Sequence, residues 1–186
     1  MDALTLTLLL LLIVVVVLYL SQTAARLDRL HHRVDTSRSA LQTQFLDRAN
    51  EVLALASSGR LDPATALLLA DAADAALARG RDSGAAFDPA RCAAESALTK
   101  AVDIALGDRE TVDDLLDQPG GEPTVTSLAS SIQKAAWSRR FHNDTVRSCL
   151  AVRRQRLVRL FRLAGSAPLP RTVELDDEVP AALRSR

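Results

Sequence analysis

The sequence predicts an all-α protein, with one N-terminal transmembrane helix that continues into a long antiparallel bundle of three to four helices. Three observations carry this expectation. Residues 3–20 form an uncharged, apolar run in a chain of 186 residues. After it, Leu27, Leu30, Val34, Leu41, Phe45 and Val52 step by threes, fours and sevens along one helix face. Composition supplies the third: the chain is rich in Ala, Leu and Arg and only 3% aromatic, a mix that favours helix over sheet. The chain divides accordingly into a short N-terminus with the span (residues 1–20), a cytoplasmic helical body (21–164) and a tail expected to be disordered (165–186).

The apolar run is long enough for one membrane-spanning helix. A cleaved signal peptide is the alternative, but it requires a basic leading region, and the early charge here is the acidic Asp2. Arg26, Arg29, Arg33 and Arg38 follow the run and no Lys or Arg precedes it. The positive-inside rule then puts the amino terminus outside the plasma membrane and the rest in the cytoplasm. Tyr19 falls where an interfacial aromatic belongs. Cys92 and Cys149, far apart and without a CxxC motif, suit a reducing compartment and are expected as buried small hydrophobes.

The first helix meets no Pro or Gly until Gly59 and is expected to reach about Ser57. Asp62-Pro63 opens a second helix, with an N-cap followed by a residue pre-set for the first turn. Its inward face is Ala66, Leu69, Ala73, Ala76 and Leu77, and Gly80 ends it. Asp88-Pro89 repeats the signal for a third helix with Ala94, Leu98, Ala101, Val102 and Ala105 inside. That helix stops at Gly107 or, recapped by Asp108, extends to Asp117. The stretch Pro119-Gly120-Gly121-Glu122-Pro123 is a break. A fourth helix is expected over residues 124–163, with Val125, Leu128, Ile132, Ala135, Val146, Leu150 and Leu157 inward. Short connections imply up-down packing. The second helix is too short to return to the bilayer, so a two-helix stalk would bring the end of the fourth helix beside the membrane.

Zero net charge conceals segregation. Residues 21–60 balance at +2, residues 61–120 at −7 and residues 121–186 at +6. Arg153, Arg154, Arg156, Arg159 and Arg162 alternate with Leu157, Val158, Leu160, Phe161 and Leu163. One reading is contact with anionic headgroups, at about 1 kcal/mol per basic residue near the surface. The other is a solvated basic face that complements a helix C-terminus. Nucleic acid requires the same charge but also a recognition motif and stacking aromatics, and is not expected as a partner.

Catalytic, metal and cofactor sites are not expected. His31 and His32 diverge on a helix; His31 and Asp35 are within reach but too few to hold a metal. His142 reads as a packed or hydrogen-bonded core histidine. Asp113, Asp114 and Asp117 read as a charged helix end. Gly-rich phosphate loops and nucleophile elbows are absent from the sequence.

The run Arg139-Arg140-Phe141-His142-Asn143-Asp144-Thr145-Val146-Arg147 resembles the signature that the LemA family carries on its last long helix. Arg33-Val34-Asp35, Leu41, Gln44-Phe45 and Arg48 resemble that family's first cytoplasmic helix, and Leu160-Phe161 with the Pro-rich exit its ending. The chain departs from the pattern at His142, where members carry tyrosine, at Cys149-Leu150, where they carry Tyr-Asn, and at the unusually basic residues 153–162. The resemblance, that of a divergent member, implies a single-span protein, amino terminus outside, with a cytoplasmic helical bundle and no catalytic residues. The expected function is a membrane-anchored scaffold that offers its acidic middle to protein partners. The alternative is an anionic-lipid-binding or membrane-shaping module acting through the Arg-rich helix end. Self-association is plausible for a stalk that leaves apolar faces uncovered.

Overall fold

A computed structural model describes residues 3–82, 87–165 and 167–184. Asp2 and the extreme ends of the expected N-terminus and tail lie outside the described residues. Six α-helices run in order among them: α1 Ala3–Ser57, α2 Pro63–Asp82, α3 Pro89–Leu106, α4 Arg109–Asp117, α5 Gly121–Arg153 and α6 Arg156–Leu160, followed by a 3-10 turn at Ala181–Leu183. The described residues contain no strand, so the all-α expectation holds. The chain divides into two compact units, one of Met1–Thr36 with Asn143–Thr172, the other of Ser37–His142 with Val173–Arg186.

In the first unit, residues 3–19 of α1 leave their side chains exposed. α1 is the one helix among those described that is long and apolar enough to cross a membrane, and its most apolar window has nothing buried against it. Beyond the window, Leu27 and Val34 pack against Val146, Cys149, Val152 and Val158. A polar contact adds to it: Arg153, the last residue of α5, lies 3.1 Å from His31 of α1.

In the second unit, α1 residues Val52 and Leu55 build a core with Leu69 and Ala73 of α2, Leu98 and Val102 of α3, Val112 and Leu115 of α4, and Val125 and Leu128 of α5. Local chemistry sets the corners. Gly59, at φ +72°, closes α1 in the left-handed region that favours glycine. The Asp62 carboxylate accepts from the N–H groups of Ala64 (3.0 Å) and Thr65 (3.1 Å) at the start of α2. The Thr65 hydroxyl adds to these bonds and, with them, holds the Asp62 carboxyl below its ordinary value. Asp88 caps the start of α3, its carboxylate accepting from the Arg91 N–H at 2.7 Å.

Several expectations are corrected. α2 passes through Gly80 to Asp82, because Gly80 is a gap rather than an end. A Cβ there would meet Leu46 Cδ2 at 3.3 Å, a tight approach, so the missing side chain gives Leu46 of α1 room. Of the two ends left open for the third helix, the structure takes the stop at Gly107; residues 109–117 form a separate helix with Val112 and Leu115 buried. α5 starts at Gly121, not residue 124; Pro123 sits in its first turn, where its missing N–H costs no hydrogen bond. Ala66, Ala94 and Leu150 are half-buried rather than fully inside.

The fourth helix does not continue to residue 163. It ends at Arg153, and Gln155 is extended (φ −61°, ψ 138°) before α6 restarts. The restart changes the helix phase. Val158 is buried at 2% exposure, whereas Leu157, expected inside, is 41% exposed.

In the tail, residues 167–180 form neither helix nor strand, and Val173, Ala182 and Leu183 are buried. Val173 joins Leu41, Phe45 and Ala135, while Ala182 and Leu183 enter the main core. Three prolines and an acidic run suggested disorder, but buried apolar residues and specific hydrogen bonds offset the ordering entropy.

The phase change predicts an asymmetric pair of truncations. Val158→Ala removes two buried methyl groups and leaves a cavity, and is expected to cost about 2 kcal/mol. Leu157→Ala is expected to stay within about 0.5 kcal/mol. Urea unfolding of the full chain in detergent, followed by circular dichroism, measures both.

Candidate membrane-surface site

The first unit gathers most of the basic residues singled out in the sequence. Arg26, Arg29 and Arg33 are exposed on α1. Arg154, Arg156, Arg159 and Arg162 are exposed at and around α6. The apolar packing of Val152 and Val158 on Leu27 ties the second group to the turns of α1 that follow the apolar run. Leu27 is seven residues past Leu20, about 10 Å along a helix axis. That distance is close to the screening length of about 8 Å at physiological salt. Arg38 belongs to the second unit and is half-buried there.

Arg153 plays a different part from its neighbours. Its guanidinium donates to the carbonyls of Ala167 (2.8 Å) and Pro168 (3.0 Å) and lies 3.1 Å from His31 Nε2. It therefore fixes the chain after α6 and bridges it to α1. Apolar side chains remain outside this frame: Leu160 is 73%, Leu169 65% and Phe161 48% exposed. Exposed leucines and a phenylalanine interleaved with arginines are what an interfacial segment presents to a lipid surface.

The signature residues scatter in role. Arg139 makes a two-pronged pair with Asp177, at 2.7 and 2.8 Å, which raises the Arg139 pKa. Arg140 and Phe141 are exposed; Asn143 and Val146 are buried. Asp144 and Arg147 form an exposed pair at 3.0 Å, of the kind that contributes little. His142 is buried, with Nδ1 at 2.9 Å from the Ser37 hydroxyl, the core histidine the sequence suggested. Cys149 is buried as expected, and burial pushes its thiol pKa up; Cys92 is only half-buried.

The second unit contains a polar group that sequence reasoning missed. Arg48, Arg91 and Glu95 are all at 2% exposure or less. Arg48 donates to a Glu95 carboxylate oxygen (2.5 Å), to the Glu95 carbonyl (3.2 Å) and to the Thr99 hydroxyl (3.1 Å). Thr99 in turn lies 2.9 Å from the Asp176 carbonyl, and Ser96 accepts from the Asp176 N–H at 3.1 Å. Arg91 stacks over Phe87, 4.4 Å from the ring centroid, and Phe87 meets Phe45 edge-on at 5.7 Å. Burial lowers the Arg91 pKa and raises that of Glu95, against the pull of Arg48. One signal was available: Arg48 and Glu95 stand in phase with apolar residues on their helices (Phe45 and Val52; Leu98 and Val102). Among the described residues, no three His, Cys, Asp or Glu side chains converge as a metal centre requires.

Compared with known proteins, the chain matches no family model, no curated protein and no solved structure.

Glu95 makes stability depend on pH in a definite direction. Its folded pKa lies above the ordinary value of 4.5, so the folded state binds the proton more tightly than the unfolded state. Its contribution therefore improves as pH falls through the folded pKa towards 4.5 and worsens as pH rises. Glu95→Gln removes that titration. The difference in Tm, wild type minus Glu95→Gln, is expected to grow as pH falls from neutral towards that value. Scanning calorimetry on both proteins across that range checks it.

Proposed function

We propose that this protein is a non-catalytic, membrane-anchored helical module whose Arg-rich α6 segment engages the anionic surface of the membrane that α1 crosses. The observation that carries the reading is that Leu27 of α1, Val152 and Val158 belong to one buried apolar cluster within one unit. It joins a basic, partly apolar segment to the turns directly after the apolar run. Arg26, Arg29 and Arg33 after the run, with no basic residue before it, support an amino terminus outside and a cytoplasmic body. At about 1 kcal/mol for each basic residue near the headgroups, several arginines outweigh the ordering of one short segment. LemA-family membership, from the resemblance of residues 139–147, is part of the same proposal.

A second reading, a scaffold for protein partners, has one observation in its favour. Trp137 and Phe141, four residues apart on α5, are 58% and 65% exposed. Exposed aromatics on one helix face are typical anchors of a protein interface. Proximity labelling in cells is expected to lose its leading partners in a Trp137→Ser, Phe141→Ser double variant. An unchanged partner set rejects the scaffold reading.

The lipid reading is tested with the full chain in nanodiscs. Leu160→Trp in a Trp137→Phe background places one reporter in the α6 segment. Acyl-brominated lipids are expected to quench it more strongly in phosphatidylglycerol-containing discs than in neutral ones. High salt, or replacement of Arg154, Arg156, Arg159 and Arg162 by Gln, is expected to remove the difference. Equal emission in anionic and neutral discs rejects the reading.

A further inference from the structure

The α6 segment borders an open hollow of about 500 Å³ in the first unit. That volume is in the range that takes a small ligand. Its lining divides into two chemistries. Leu150, Val158 and Ala164 provide an apolar wall, and the same three side chains pack with Leu27 and Leu30. Arg154, Arg159 and Arg162 provide a cationic rim, with no carboxylate among the lining residues.

Two further features shape it. Arg153 grips the carbonyls of Ala167 and Pro168, which holds the adjoining Leu169 as a lip of the hollow. Arg162 has φ +49°, a left-handed conformation that costs energy for a residue with a side chain. That turn reverses the chain after α6 and lets Arg162 and Ala164 line the same hollow.

We propose that this hollow binds one acidic phospholipid taken from the surrounding bilayer. Its phosphate sits among Arg154, Arg159 and Arg162, and an acyl chain lies over Leu150, Ala164 and Leu169. Guanidinium groups match phosphate oxygens with charge-assisted hydrogen bonds. A free phosphate ion would satisfy the rim but leave the wall in water; an acidic lipid satisfies both. The inference rests on the membrane-surface reading and deepens it, from attraction towards many headgroups to a site for one molecule.

The test is native mass spectrometry of the full chain released from nanodiscs that contain phosphatidic acid and phosphatidylcholine. One phosphatidic acid is expected to stay bound per chain, favoured over phosphatidylcholine by about tenfold, or about 1.4 kcal/mol. Ala164→Phe fills the hollow and keeps every arginine. It is expected to lose the retained lipid while the Leu160→Trp quenching difference persists. Arg159→Gln with Arg162→Gln, both at exposed positions, is expected to lose it as well and keeps the test decisive if Ala164→Phe does not fold. Equal retention of phosphatidylcholine overturns the proposal. So does retention unchanged in a folded Ala164→Phe protein, which leaves only general headgroup attraction. Displacement by inorganic phosphate overturns it in favour of a simple anion site. Failure of the underlying reading shows separately, as equal quenching in anionic and neutral discs.

Discussion

Arg48 is a charge with no route to water, and the second unit is arranged around that fact. An unpaired guanidinium at this depth would cost several kcal/mol. Glu95 supplies the opposite charge, and the Glu95 carbonyl and Thr99 hydroxyl each take a further N–H of the Arg48 Nη groups. Each of these partners commits something further. Thr99 and Ser96 fix the backbone of Asp176, and so bring the segment after Val173 onto α3. Asp177 then meets Arg139 of α5. The chain from one buried cation to the position of the carboxyl-terminal segment has no free step. Such pairs are weak contributors to net stability but strong determinants of register, since any slip strands a charge.

A core made of Ala and Leu, with few aromatic residues, has a second use for arginine. Arg91 is the largest of the fully buried side chains, and its flat guanidinium lies over the Phe87 ring, where another chain would stack a second ring. The aromatic shortage that marks the composition is thus met by long charged side chains with flat heads.

The apolar stripe of α1 was legible because Leu27, Val34, Leu41, Phe45 and Val52 keep helical spacing and no Gly or Pro interrupts them. The corners were legible because Asp-Pro is both a cap and a first turn. Arg48, Arg91 and Glu95 were not, because charged residues are presumed exposed unless a partner is known, and the partner here is distant in sequence. Leu157 was misplaced because periodicity assumes a continuous helix; one extended residue, Gln155, rotates the turn of helix after it. The tail was misread because order there depends on a few buried groups, Val173, Ala182 and Leu183, rather than on composition. At the membrane-surface site, the density of arginines was plain in the sequence. Their attachment to α1 through Val152 and Val158 needed the tertiary packing.

The segment that carries Asp176 also sets an order of assembly. Its hydrogen bonds to Thr99 and Ser96 span 77 and 80 positions, whereas α2 and α3 are neighbours in the chain. Closing a long loop is slow compared with pairing adjacent helices. Synthesis reaches α3 well before residues 173–184, so Thr99 and Ser96 are in place before the backbone of Asp176 exists to meet them. These contacts are therefore the last of the second unit that the emerging chain can make.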